Sequence, residues 1–117
     1  MSKQADSPVS DVSALENIEP VKKSSAKDLR IAAMNILARR EHSRKEVADK
    51  LYKKLEPDSD LLNTVLDRLV ADDLLSDQRF SEAFVRWRVG KGQGPVRIRM
   101  ELRERGVDGD AVLRECE

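Results

Sequence analysis

The stretch SDQRFSEAFVRWRVGKGQGPVRIRMELRERGV, residues 76–107, decides the fold. Phe80, Ala83, Phe84 and Trp87 fall at i, i+3, i+4 and i+7, the spacing that gathers apolar side chains on one face of an α-helix. Ser76 or Asp77 supplies the oxygen that caps its start. Gly90, Gly92 and Gly94 then break the chain, and Pro95 suits the first turn of a following helix, where its missing amide hydrogen costs nothing. Ile98 and Leu102 point that helix inward. Gly106 is placed to end it in a left-handed conformation, with Val107 making the apolar contact that accompanies such a stop. Another helix is expected to start near Asp110. On this spacing the aromatic stripe is core, with Trp87 inside it, and is not a platform for stacking a ligand.

The same grammar runs upstream. Leu29, Ala32, Ala33 and Ile36 form one apolar face of a helix ending near Arg40. Ser43 with Glu46 is a capping box, so a second helix starts there, buries Val47, Leu51 and Leu55, and stops at Pro57. Asp58 or Ser59 caps a third, with Leu62, Val65, Leu66, Leu69 and Val70 inward, running to about Leu75. Shifting the chain by 51 residues lays Leu29 on Phe80, Ala33 on Phe84, Val47 on Ile98 and Leu51 on Leu102 without a gap. The expected fold is therefore all-α, a tandem three-helix repeat of helix-turn-helix type. Residues 1–24 read as a disordered N-terminal arm, 25–75 as the first repeat, and 76–117 as a second repeat truncated in its third helix. In that register Val112, Leu113 and Cys116 lack the turns that would bury them, so a missing C-terminal part is expected.

The 117 residues hold 22 Lys plus Arg and 22 Asp plus Glu, a formal net charge of zero at a charged fraction of 38%. Zero is a cancellation of blocks: −1 over 1–26, +4 over 27–56, −5 over 57–82, +5 over 83–106 and −3 over the tail. Aromatics are 3%, too few for a platform that stacks one base after another. The longest apolar run is Ile31 to Met34, far below the roughly 20 residues of a membrane helix, and the N-terminus lacks a signal-type apolar stretch. Cytosolic residence is expected. One cysteine, Cys116, and one histidine, His42, exclude an internal disulfide and a zinc site built by those two alone. The three glycines lack the order and the hydroxyl of a phosphate loop. Asp72, Asp73 and Asp77 have no nucleophile or histidine beside them and read as a solvated helix end. His42 reads as a loop residue and Cys116 as a small core residue. No cofactor, metal or catalytic group is expected.

The candidate contacts are basic. Arg39, Arg40, Arg44 and Lys45 surround the bend between the first two helices, and Arg86, Arg88 and Lys91 lead into the equivalent bend of the second unit. Arg97, Arg99 and Arg103 lie off the Ile98 to Leu102 line. Guanidinium forks suit phosphates and carboxylates alike, which fits a nucleic-acid backbone or an acidic protein surface.

ILARREHSRKEVADKL, and RLVADDLLSDQRFSEAFVRWRVGKGQGPVRIRMELRERGV after it, resemble the RecX family of bacterial recombination regulators, whose members are chains of tandem three-helix repeats. The likeness spans about Leu29 to Val107 and is most specific from Phe80 to Gly106, through the aromatic pair and the glycine, proline and arginine order that follows. It implies a non-enzymatic, monomeric protein that binds the RecA recombinase filament on single-stranded DNA, lying in its groove. Such binding would inhibit the recombinase, ATPase and coprotease activities and so modulate recombination and the SOS response. The resemblance also implies a third repeat, which this chain lacks. The rival reading is a winged-helix or helix-turn-helix transcription regulator, in which SRKEVADKL and DRLVADDLLSD form the turn-helix pair. It requires a strand hairpin after Leu75, where the Phe80, Phe84, Trp87 stripe stands instead.

Overall fold

The computed structural model describes residues 25–113 apart from residue 111. The expected N-terminal arm and Cys116 lie outside the described residues. The described chain forms five helices: α1 (Ala26–Leu37), α2 (Arg44–Leu55), α3 (Ser59–Ala71), α4 (Asp77–Gly90) and α5 (Pro95–Glu104). A further helical turn opens at Asp110, where the Leu113 amide donates to the Gly109 carbonyl at 2.9 Å.

Local chemistry sets each boundary. Ser25 with Asp28 and Ser43 with Glu46 build complete capping boxes. Asp58, not Ser59, caps α3 through the Leu61 amide, and Ser76 caps α4 through Arg79. At the other end, α3, α4 and α5 close in the same way. The amides of Leu74, Gln93 and Val107 reach back to the carbonyls of Leu69, Arg88 and Leu102 at 2.9, 3.1 and 3.0 Å. The left-handed residue this closure needs is Asp73 (φ 63°), Gly92 (φ 83°) and Gly106 (φ 79°) respectively.

α1 packs on both α2 and α3, and α4 packs on α5. Two separate apolar cores result. One joins Leu29, Ala33, Val47, Leu51, Leu62, Val65, Leu66, Leu69 and Leu75; the other joins Phe80, Phe84, Val85, Ile98, Leu102, Val107, Val112 and Leu113.

Three expectations are corrected. Val70 is 46% exposed, because it sits about 100° around the helix from Leu69, one residue before α3 ends. Trp87 is 53% exposed and is not core. The buried line of α4 runs through Phe80, Ser81, Phe84 and Val85, rotated away from Ala83 and Trp87 so that Val85 can meet α5. Val112 and Leu113 are already buried, in the same core as α4 and α5. Among the described residues there is no strand, and α4 begins where the rival reading needs a wing.

Candidate functional site

The two units meet through polar groups, not through a shared apolar core. Ser43, fully buried, accepts the Glu46 amide at 3.1 Å and donates its hydroxyl to the Arg105 carbonyl at 2.7 Å, so one residue both caps α2 and ties down the end of α5. The Arg44 amide donates to Asp77 at 2.7 Å. Arg79 forks between Glu41 and Asp73, each at 2.9 Å, and these two bonds hold its guanidinium above its ordinary pKa. Gly106 lies against Lys45, where a Cβ would come within 2.9 Å of the Lys45 Cβ.

Beside this junction opens a cleft of about 530 Å³, lined by Arg40, Glu41, Phe80, Ala83, Phe84, Trp87, Arg88 and Arg105. Its floor is aromatic and cationic together. The Arg88 guanidinium lies 4.5 Å from the centre of the Trp87 ring and 4.9 Å from that of Phe84; Arg105 lies 4.8 Å from Phe84, and Lys91 5.4 Å from Trp87. Two carboxylates hold the arginines. Glu46 stands 3.5 Å from both Arg40 and Arg105, while Glu101 stands 3.3 Å from Arg88. That last pair is an ionic contact without hydrogen-bond alignment, since Glu101 Oε1 and Arg88 Nε are buried without a hydrogen-bond partner. The exposed edge of Trp87 is the one large apolar surface in the cleft.

The ten basic candidates divide. Arg40, Arg88 and Lys91 come together around the cleft and Trp87. Arg44 is spent on Asp67 at 2.8 Å and Lys45 on Asp49 at 3.2 Å, within the first unit. Arg97 pairs with Glu101 at 3.2 Å and Arg99 with Asp110 at 2.6 Å. Arg99 and Arg103 line a different hollow, by Gly106 and Asp110. Arg39, Arg86 and Arg103 make no ion pair among the described residues. The three aspartates accept hydrogen bonds from arginines, while Ser76 caps α4. Asp72 is held below the usual carboxylate range, first by its hydrogen bond from Arg30 and then by Arg68, while Asp73 and Asp77 serve Arg79 and Arg44. Among the described residues no group of three His, Cys, Asp or Glu side chains is arranged to hold a metal ion. Among the described residues no helix is long and apolar enough to cross a membrane.

Residues 30–69 match the model of the RecX first three-helix domain, and residues 76–112 that of the RecX second three-helix domain. The chain belongs to the RecX family. It is 48% identical over 97 residues to the regulatory protein RecX of Halorhodospira halophila, covering 80% of this chain and 60% of that protein. To the regulatory protein RecX of Pseudomonas savastanoi it is 48% identical over 91 residues, 75% of this chain and 58% of the relative. The chain thus spans about three fifths of the length of these curated RecX relatives. The crystal structure of RecX from Lactobacillus salivarius superposes with a TM-score of 0.66 at 30% identity, over 73% of this chain and 55% of that one. With RecX membership, the tandem three-helix repeat is the architecture of the described chain.

Sequence reasoning passed over Arg105, Glu46 and Glu101 as site residues. Arg105 directly precedes the glycine that ends α5, so its carbonyl is left for a partner outside the helix. That was the available signal; which partner takes it is a tertiary matter.

Proposed function

We propose that this RecX-family chain is a regulatory protein that binds the RecA filament on single-stranded DNA. By lying in the filament groove as a monomer it inhibits the recombinase, ATPase and coprotease activities and so modulates recombination and the SOS response. It needs no cofactor and works in the cytoplasm. The observation that carries this reading is the pair of RecX three-helix modules clamped end to end, with an arginine-lined cleft and an exposed tryptophan beside the clamp.

A nucleoprotein filament presents protein carboxylates and DNA phosphates side by side, and guanidinium groups engage both. Trp87 supplies the kind of large, rigid anchor that dominates binding energy at the centre of an interface. The candidates Arg39, Arg40, Arg44, Lys45, Arg86, Arg88, Lys91, Arg97, Arg99 and Arg103 spread along both units, which suits an extended contact. Exposed pairs such as Lys45 with Asp49 contribute about 0–1 kcal/mol each, so exchanging an internal carboxylate for one on the partner costs little.

The test adds the intact chain to RecA filaments on single-stranded DNA and follows ATP hydrolysis. Turnover is expected to fall at substoichiometric ratios, and Arg97→Glu with Arg99→Glu should weaken the effect while helix content stays the same. Unchanged turnover at saturating protein refutes the reading.

A further inference from the structure

A second basic surface lies away from the inter-unit cleft, and among the described residues no carboxylate lines it. Between the C-terminal half of α1 and the outer face of α2 is a hollow of about 180 Å³ lined by Ala32, Asn35, Ile36, Arg39, His42, Lys50 and Lys54, with no carboxylate among them. Arg39, Lys50 and Lys54 are exposed and make no ion pair among the described residues. Each lysine has an acid four positions away in the sequence, Glu46 on α2 itself and Asp58 beyond its end, and both acids are taken. Glu46, four residues before Lys50, is turned to the Ser43 amide, Arg40 and Arg105. Asp58, four residues after Lys54, caps α3 through the Leu61 amide. Glu41, the acid next to Arg39 and Arg40 in the chain, is held by Arg79 at 2.9 Å.

Like charges four residues apart on a helix repel, so Lys50 and Lys54 gain nothing from each other within α2. His42 completes the hollow. It is buried, and its Nδ1 donates to the Arg40 carbonyl at 3.0 Å, the only sense in which a carbonyl can bond it.

We propose that this hollow is a phosphate-backbone site, in which Arg39, Lys50 and Lys54 each engage a phosphodiester of a nucleic-acid strand and Asn35 adds a neutral amide. The occupant is a nucleic acid and not an acidic protein segment, because the only apolar groups in the hollow, Ala32 and Ile36, are partly buried packing residues of the first core. Protein partners bind chiefly through a desolvated apolar or aromatic anchor, which this surface lacks, whereas backbone recognition is carried by point charges and is independent of sequence. The Cβ atoms of Lys50 and Lys54 are about 6 Å apart, and flexible four-carbon stems allow each to reach its own phosphate.

The inference deepens the filament reading and rests on it for the choice of single-stranded DNA; its test leaves out the recombinase, so the two can fail separately. The full chain is titrated against a fluorescently labelled oligo-dT 30-mer at several salt concentrations, with anisotropy as the readout. A triple variant, Arg39→Gln, Lys50→Gln and Lys54→Gln, removes three charges without burying or exposing core. Each phosphate contact on a single strand contributes about 0.7 to the slope of log affinity against log salt, so the slope is expected to fall by about 2. At 0.1 M salt the affinity should drop roughly 100-fold, with the curves converging near 1 M. Lys27→Gln, Lys53→Gln and Arg68→Gln, three exposed cations that neither line the hollow nor belong to the candidate filament contacts, serve as the matched three-charge control and should leave a larger share of binding. The proposal is overturned if the parent chain does not bind the oligonucleotide, if the triple variant keeps its affinity and slope at unchanged helicity, or if poly-glutamate competes as well as the oligonucleotide does.

Discussion

Gly106→Ala places a methyl group where the backbone has φ 79° and where the new Cβ would stand 2.9 Å from the Lys45 Cβ. Two costs therefore combine. A left-handed conformation costs an alanine about 1–2 kcal/mol, offset by about 0.4–1 kcal/mol because the unfolded chain loses glycine's freedom, for a net near 1 kcal/mol. The clash is separate. Lys45 Cδ, at 3.0 Å, belongs to a flexible side chain and can swing away, but Lys45 Cβ is fixed to the backbone of α2 and gives only if the two units part slightly. Overpacking of this kind costs about 1–3 kcal/mol, so the total is about 2–4 kcal/mol. Gly92 provides the matched control. It has φ 83°, ends α4 in the same way, and a Cβ there would meet nothing within 4 Å, so Gly92→Ala should cost only the conformational part, about 1 kcal/mol. Urea unfolding of both variants, compared by midpoint at a common m-value, reads the difference directly. If the two variants differ by less than about 0.5 kcal/mol, the close seating of the α5 terminus on α2 is refuted.

Two further outcomes follow from burial and titration. Leu69→Ala should cost about 2–5 kcal/mol in the same urea assay, because Leu69 is fully buried in the first core, while neighbouring Val70→Ala, on the exposed flank, should stay within about 1 kcal/mol; equal costs would contradict the orientation of α3. Burial is the largest influence on His42 and, with Arg40 and Lys50, pulls its pKa below the usual 6.5 against the raising effects of the Arg40 carbonyl and Glu46. The unfolded chain then holds more protons in the window just below 6.5, so stability falls as pH is lowered through it, and His42→Gln should flatten that slope in pH-dependent thermal melts.

Most of the first core was legible in the sequence, because it is written in residues three and four apart. Leu29 with Ala33, Val47 with Leu51, and Leu62 through Leu69 all face inward as their spacing demands. The caps were legible for the same reason: Ser43 and Glu46 satisfy each other across one turn. Trp87 was misread because an i, i+7 position lies near the edge of a stripe, and only the direction from which α5 approaches decides which edge is covered. In the basic set, counting charges could not separate Arg44, absorbed by Asp67, from Arg39, which meets no acid among the described residues. Lys50 was passed over; Glu46 stands at the favourable helical spacing from it but is turned to the Ser43 amide, Arg40 and Arg105.

The sequence by itself determined the helices, their starts and stops, and the doubling of the three-helix unit. Those features rest on hydrogen bonds and contacts that close within about four residues, so neighbouring residues suffice to specify them. Tertiary structure alone decided how the units are clamped and which cations remain available. Glu46 has Lys50, Arg40, Arg105 and the Ser43 amide as rivals, and Arg105 is brought to it from 59 positions further along only when Ser43 seizes its carbonyl. A carboxylate can satisfy few partners at once, and its choice in three dimensions leaves one basic surface paired at the junction and another open on α2.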